Sequence, residues 1–118
     1  MKYVLLIHQG DAPTPYEETW AKLSAEEQQE ISKAYGEINQ TPGVTPGVGL
    51  QHPDTATTVR VQDGQTLVTD GPFVAVKEAL GGWFVFEADD LDAAIEMASR
   101  VPAARLGGGV EIRPVAEW

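Results

Sequence analysis

A small set of side chains in this sequence could move protons or hold ligands. His8 follows an apolar run at the amino terminus, and imidazole is the usual proton carrier near neutral pH. Asp70 stands where a β-prone run meets Gly71-Pro72. Its carboxylate either bonds the amides of that turn or points into a cleft as a ligand-binding or acid–base group. Arg60 and Arg113 lie in strand-like stretches, and an arginine held on a sheet is a rigid, two-pronged donor for a carboxylate, whether that of Asp70, of Glu111 or of a ligand. Lys77 and Glu78 come after the turn, either as an exposed ion pair of little worth or as an anchor for an anion. Gly71, Gly81 and Gly82 would let the backbone approach a ligand, with Pro72 and Phe73 beside them, so the principal cleft is expected along this loop.

Other chemistries are disfavoured. His52 sits beside Pro53 and Asp54 and reads as a solvated loop residue, and two histidines without a defined spacing to acids make no metal site. Asp89, Asp90 and Asp92 are read as a helix opening, not a cation cage. Gly107-Gly108-Gly109 leads into a strand, which argues for a flexible turn over a phosphate cradle. No metal and no cofactor are therefore expected. With no cysteine there is neither thiolate chemistry nor a disulfide framework, which suits a reducing cytoplasm. Eight basic against eighteen acidic residues give a formal charge of −10, which would repel a phosphate backbone, so no nucleic-acid partner is expected.

Pattern alone predicts the elements that must position these residues. At 118 residues and 42% hydrophobic content, residues 1–118 suit one domain that buries roughly two thirds of its unfolded surface. Residues 3–7 are apolar on both alternating faces, as in a central strand; the run ends at His8-Gln9-Gly10-Asp11 with no cleavage pattern, so it reads as a strand and not a leader. Residues 9–23 read as an irregular excursion with a short helical turn at 16–22, either a lid or a cover for an exposed sheet face. Ser24-Ala25-Glu26-Glu27 has the form of a capping box and opens a helix running to about Asn39, with Ile31, Tyr35 and Ile38 on one side. Residues 56–62 and 66–69 are strands joined by Asp63-Gly64, a tight-hairpin signal. Residues 83–86 form a second strand with bulky groups on both faces, Asp89 to Asp92 open a second helix with Leu91, Ala94, Ile95 and Ala98 along one stripe, and 110–113 form a last strand. No stretch approaches the ~20 apolar residues of a membrane span.

The stretch Val68-Thr69-Asp70-Gly71-Pro72-Phe73, with Lys77-Glu78 and Leu80-Gly81-Gly82-Trp83 after it, closely resembles the DGPF signature of the YCII-related family. Leu50, Pro53, Thr57-Thr58-Val59-Arg60, the Leu91-Asp92-x-Ala94 helix and Glu111-x-Arg113-Pro114 extend the likeness from about Leu50 to Val115, and the first strand agrees with it. The resemblance implies a dimeric α+β barrel of ferredoxin-like βαββαβ protomers, a cleft near the signature loop, and genomic association with extracytoplasmic-function sigma factors; it implies no known reaction. Ala75 and Val76 replace an acid and a threonine common in the family, and the first helix has no histidine to match the wider family's proposed His–Asp pair.

An antiparallel sheet with two helices covers one face only, yet Tyr3, Leu5 and Ile7 oppose Val4 and Leu6, and Trp83 and Val85 oppose Phe84 and Phe86. A second copy stacking on the open face resolves this, so a homodimer is expected. Two functions remain open: a homodimeric module binding a small molecule or partner, and a cofactor-independent isomerase- or lyase-like enzyme acting on a small anionic or aromatic metabolite. In the second, Asp70 or His8 moves a proton while Arg60 or Arg113 holds a carboxylate.

Overall fold

The apolar run at the amino terminus becomes β1 (Lys2–His8), in a computed structural model that describes residues 1–14, 18–71 and 80–117. It is central, as its two apolar faces require. β5 (Leu80–Glu87) pairs antiparallel on one side, with Leu5 opposite Phe84, and β6 (Gly109–Pro114) on the other, with Leu5 opposite Ile112. A two-residue strand, β2 (Val44–Thr45), closes the far edge of β5, giving the order β2-β5-β1-β6. Pro46 comes directly after β2 without an N–H to give, which suits a short edge strand.

The long helix α2 (Ala25–Gln40) connects β1 to β2, after a one-turn α1 (Glu18–Ala21). Helix α3 (Leu91–Ser99) and the short α4 (Pro102–Arg105) connect β5 to β6. This is the ferredoxin-like α+β arrangement. Both helix starts match their sequence signals: the Ser24 hydroxyl accepts from the Glu27 N–H while the Glu27 carboxylate accepts from the Ser24 N–H, and Asp90 accepts from the Ala93 N–H at 2.9 Å.

The core lies on the helix side. Tyr3, Leu5, Ile7 and Phe84 are buried against Ile38 of α2 and Ala94, Met97 and Ala98 of α3, with Val101 and Ala103 below. The stripe expected on α3 needs correction. Ala94, Met97 and Ala98 face the sheet, where two alanines let the helix approach closely, whereas Leu91 and Ile95 are about half exposed. On the opposite sheet face Val4, Leu6, His8, Trp83 and Val85 are only half-buried. The described part of the 9–23 excursion does not lie there. Ala12 joins the helix-side core, and the Trp20 carbonyl accepts from Gln28 of α2.

The expected hairpin exists, but in a sheet of its own. β3 (Thr57–Gln62) and β4 (Gln65–Asp70) pair only with each other, and the second strand of the ferredoxin-like sheet is β2 instead. Asp63 and Gly64 both have positive φ, 51° and 75°, the pairing that a two-residue turn of matching twist demands. The arm projects: the radius of gyration is 15.9 Å, against roughly 13–14 Å for a compact chain of this length. No helix among the described residues is long and apolar enough to cross a membrane.

Candidate functional site

On the open sheet face, β1 and β6 bring three of the chemically capable side chains together. Glu111 and Arg113 are two residues apart and so share a face of β6, and the register sets Leu6 opposite Glu111, with His8 diagonal to it. His8 Nε2 lies 3.1 Å from Glu111 Oε1, and Arg113 Nε lies 3.8 Å from Glu111 Oε2. An ionised carboxylate only accepts, so in this contact Nε2 carries the hydrogen. The trio is a histidine oriented by a carboxylate that a guanidinium flanks, beside the half-buried Leu6 and Trp83. It can bind an anion or relay a proton.

The other predicted residues lie elsewhere. Asp70 ends β4 opposite Thr57 and is exposed; Arg60 of β3 faces Leu67, so strand alternation puts Arg60 and Asp70 on opposite faces of the arm, and the suggested Asp70–Arg60 pair does not form across it. Both belong to a different sheet from His8 and Arg113. Gly71, at φ 113°, fixes the base of the arm: its N–H donates to Ala56 O at 2.7 Å and its carbonyl accepts from Thr58 Oγ1 at 2.7 Å. Pro72, Phe73, Lys77 and Glu78 lie outside the described residues. His52 behaves as expected of a loop residue, its Nδ1 accepting from the Asp54 N–H at 3.1 Å to cap a single 3-10 turn.

A cleft of about 260 Å³ opens on the helix side, between the end of β1, α2 and the start of β5. Gly81 and Gly82, at the end of the signature stretch, line it, but among the described residues Asp70 and Gly71 do not. Its floor is buried apolar surface, Ile7 and Phe84, and its polar groups are Gln9, Tyr35 and Asn39. Three of the lining glycines pack too closely against the chain to carry a side chain. A side chain at Gly81 would collide with Gln9, one at Gly47 with Trp83, and one at Gly82 would stand 2.9 Å from the Val48 carbonyl. Burial raises the Tyr35 pKa above its usual value, against a weaker downward pull from the Gln9 side chain, the Ala103 backbone and Arg105. The phenol therefore stays protonated and uncharged at neutral pH. The sequence did not mark Gln9, Tyr35 or Asn39 as a group; the one legible signal was the double glycine.

The Gly107-Gly108-Gly109 turn packs closely against the end of β1. A side chain at Gly108 would strike the carbonyls of His8 and Gln9, so the absence of one lets this turn seat the end of β1.

The family model for the YCII-related domain matches residues 1–118. An uncharacterized protein of Rhizobium meliloti (strain 1021) is 29% identical over 118 residues, an alignment covering 98% of this chain and 93% of that protein.

Proposed function

The chain belongs to the YCII-related domain family, and from that premise we propose that it works in the cytoplasm as a homodimeric, non-catalytic module that binds a small molecule. The observation that carries the dimer is the open sheet face, where Val4, Leu6, Trp83 and Val85 are half-buried with no helix of the described residues over them. The arm adds to it, because Val59, Val61 and Val68 share one of its faces and are 59–67% exposed. Burial is worth about 25 cal/mol per Å² of apolar surface, so covering these surfaces with a second copy favours association. The small-molecule part rests on the cleft beside Gly81 and Gly82. The signature residues resemble those of the DGPF branch, and that resemblance supports a place for the module in sigma-factor regulation.

Sedimentation at micromolar concentration tests the dimer. A species of about twice the 12.7 kDa chain is expected; a stable species at the single-chain mass would reject it.

One observation favours the enzyme reading, the 3.1 Å contact of His8 with Glu111. There His8 would move the proton and Arg113 hold the substrate carboxylate, while Asp70 lies in the other sheet.

A further inference from the structure

We infer that the helix-side cleft takes an uncharged, planar ligand of one or two rings with an amide-like edge, held by Gln9, Asn39 and Tyr35 against Ile7 and Phe84. The inference rests on the small-molecule part of the reading above and commits to a site and a ligand class.

Size sets the first limit. About 260 Å³ falls below the roughly 300–1,000 Å³ of pockets for drug-sized ligands, which leaves room for one or two rings. Charge sets the second. None of the described lining residues is Asp, Glu, Lys or Arg, so an ion entering would meet no opposite charge among them. The chain's net charge of −10 works further against an anion. Among the described residues, Arg105 of α4 bears on the Tyr35 phenol with its positive charge. That makes an aromatic carboxylate the most informative competitor.

Hydrogen-bonding capacity selects the class. Asn39 offers a carbonyl acceptor and an NH₂ donor, and Gln9 and the Tyr35 hydroxyl, which the Gln9 side chain and the Ala103 backbone also reach, offer the capacity those contacts leave. A ligand edge with a donor beside an acceptor, as in a carboxamide, lactam or cyclic urea, satisfies such groups without ionising. Of the lining glycines, Gly49 has open space where a side chain would stand, which leaves a planar ring room to enter there.

The test uses three probes of one shape and different charge, benzamide, benzoate and benzamidine, titrated into the full ¹⁵N-labelled chain while the Gly81, Gly82 and Trp83 signals are monitored. Benzamide should move these signals with an affinity at least about tenfold above that of either ion. Tyr35→Phe, which keeps the ring packing, should weaken benzamide about fivefold, and Asn39→Leu by a similar factor, each removing one neutral hydrogen bond. Benzoate or benzamidine binding the cleft as tightly as benzamide would overturn the ligand class. Shifts confined to the His8, Glu111 and Arg113 signals would overturn the site while leaving a small-molecule module standing. No shift from any probe at a concentration on the order of 10 mM would overturn both.

Discussion

The two sheets are built from similar sequence and have opposite fates. The four-stranded sheet buries Tyr3, Leu5, Ile7 and Phe84 under helices, while the β3–β4 arm leaves all its strand residues exposed except the half-buried Thr58. The arm strand β3 alternates while β1 and β5 are apolar on both faces, and both sheets have turn residues where their geometry needs them. The difference lies in the chain segment attached to the end of each strand. Helices α2 and α3 return over the main sheet and supply the buried partners, whereas β3 turns directly into β4. A two-stranded hairpin alone in water is marginal. An arm that keeps six cross-strand pairs in register with three bare valines on one face is therefore best explained by a surface that covers it.

The sharpest way to break the comparison is to remove one methyl-rich side chain from each sheet. Leu5 has no exposure, so Leu5→Ala should destabilise the protein by about 2–5 kcal/mol in denaturant titration. Val59→Ala in the arm should cost less than about 0.5 kcal/mol in a lone protomer. Equal losses at the two sites in dilute protein would mean that the arm has a buried face within its own chain.

The arm and the open face can then be asked whether they serve one interface. Replacing Val59, Val61 and Val68 together with serine should leave the circular dichroism of the main sheet unchanged and raise the dimer dissociation constant at least about tenfold by sedimentation. An unchanged constant would assign the dimer to the open face alone and leave the arm for another partner.

How far the sequence revealed this depends on which forces are local. The central strands were legible because a run with apolar groups on both faces fits only a covered sheet, and both did prove central. The capping box, the Asp90 cap and the Asp63-Gly64 turn are contacts within four residues, so residue type and spacing specify them. Alternation in β3 fixed which residues share a face but not which sheet the strand joins, since that depends on groups far away in the chain. The two-residue β2 carries too little pattern to announce an edge strand. On α3, Leu91 and Ile95 are as apolar as the buried positions, and only the packing of Ala94 and Ala98 against the sheet sets the helix phase. The candidate site divides likewise. Glu111 and Arg113 lie two apart on one strand, so their shared face was readable, but His8 meets Glu111 across 103 positions and the cleft gathers residues from 7 to 84.

The smallest expected effect separates a local contact from the sheets altogether. The Ser24 N–H, and secondarily the Ser24 hydroxyl, hold the Glu27 carboxylate below its ordinary pKa of 4.5, with slight desolvation opposing. A carboxyl group whose pKa is lowered on folding stabilises the folded state at pH above its unfolded value, and that contribution is lost as pH falls through the lowered pKa. Glu27→Gln keeps a neutral acceptor for the Ser24 N–H but removes the charge at the positive end of α2. The wild-type protein should therefore melt slightly above Glu27→Gln near pH 7, and the two curves should converge once pH drops well below 4.5. Because Glu27 is exposed, the gap at pH 7 should also shrink with added salt. A difference that persisted unchanged into acid would show that Glu27 acts through side-chain packing and not through its charge, and the capping box would lose its electrostatic part.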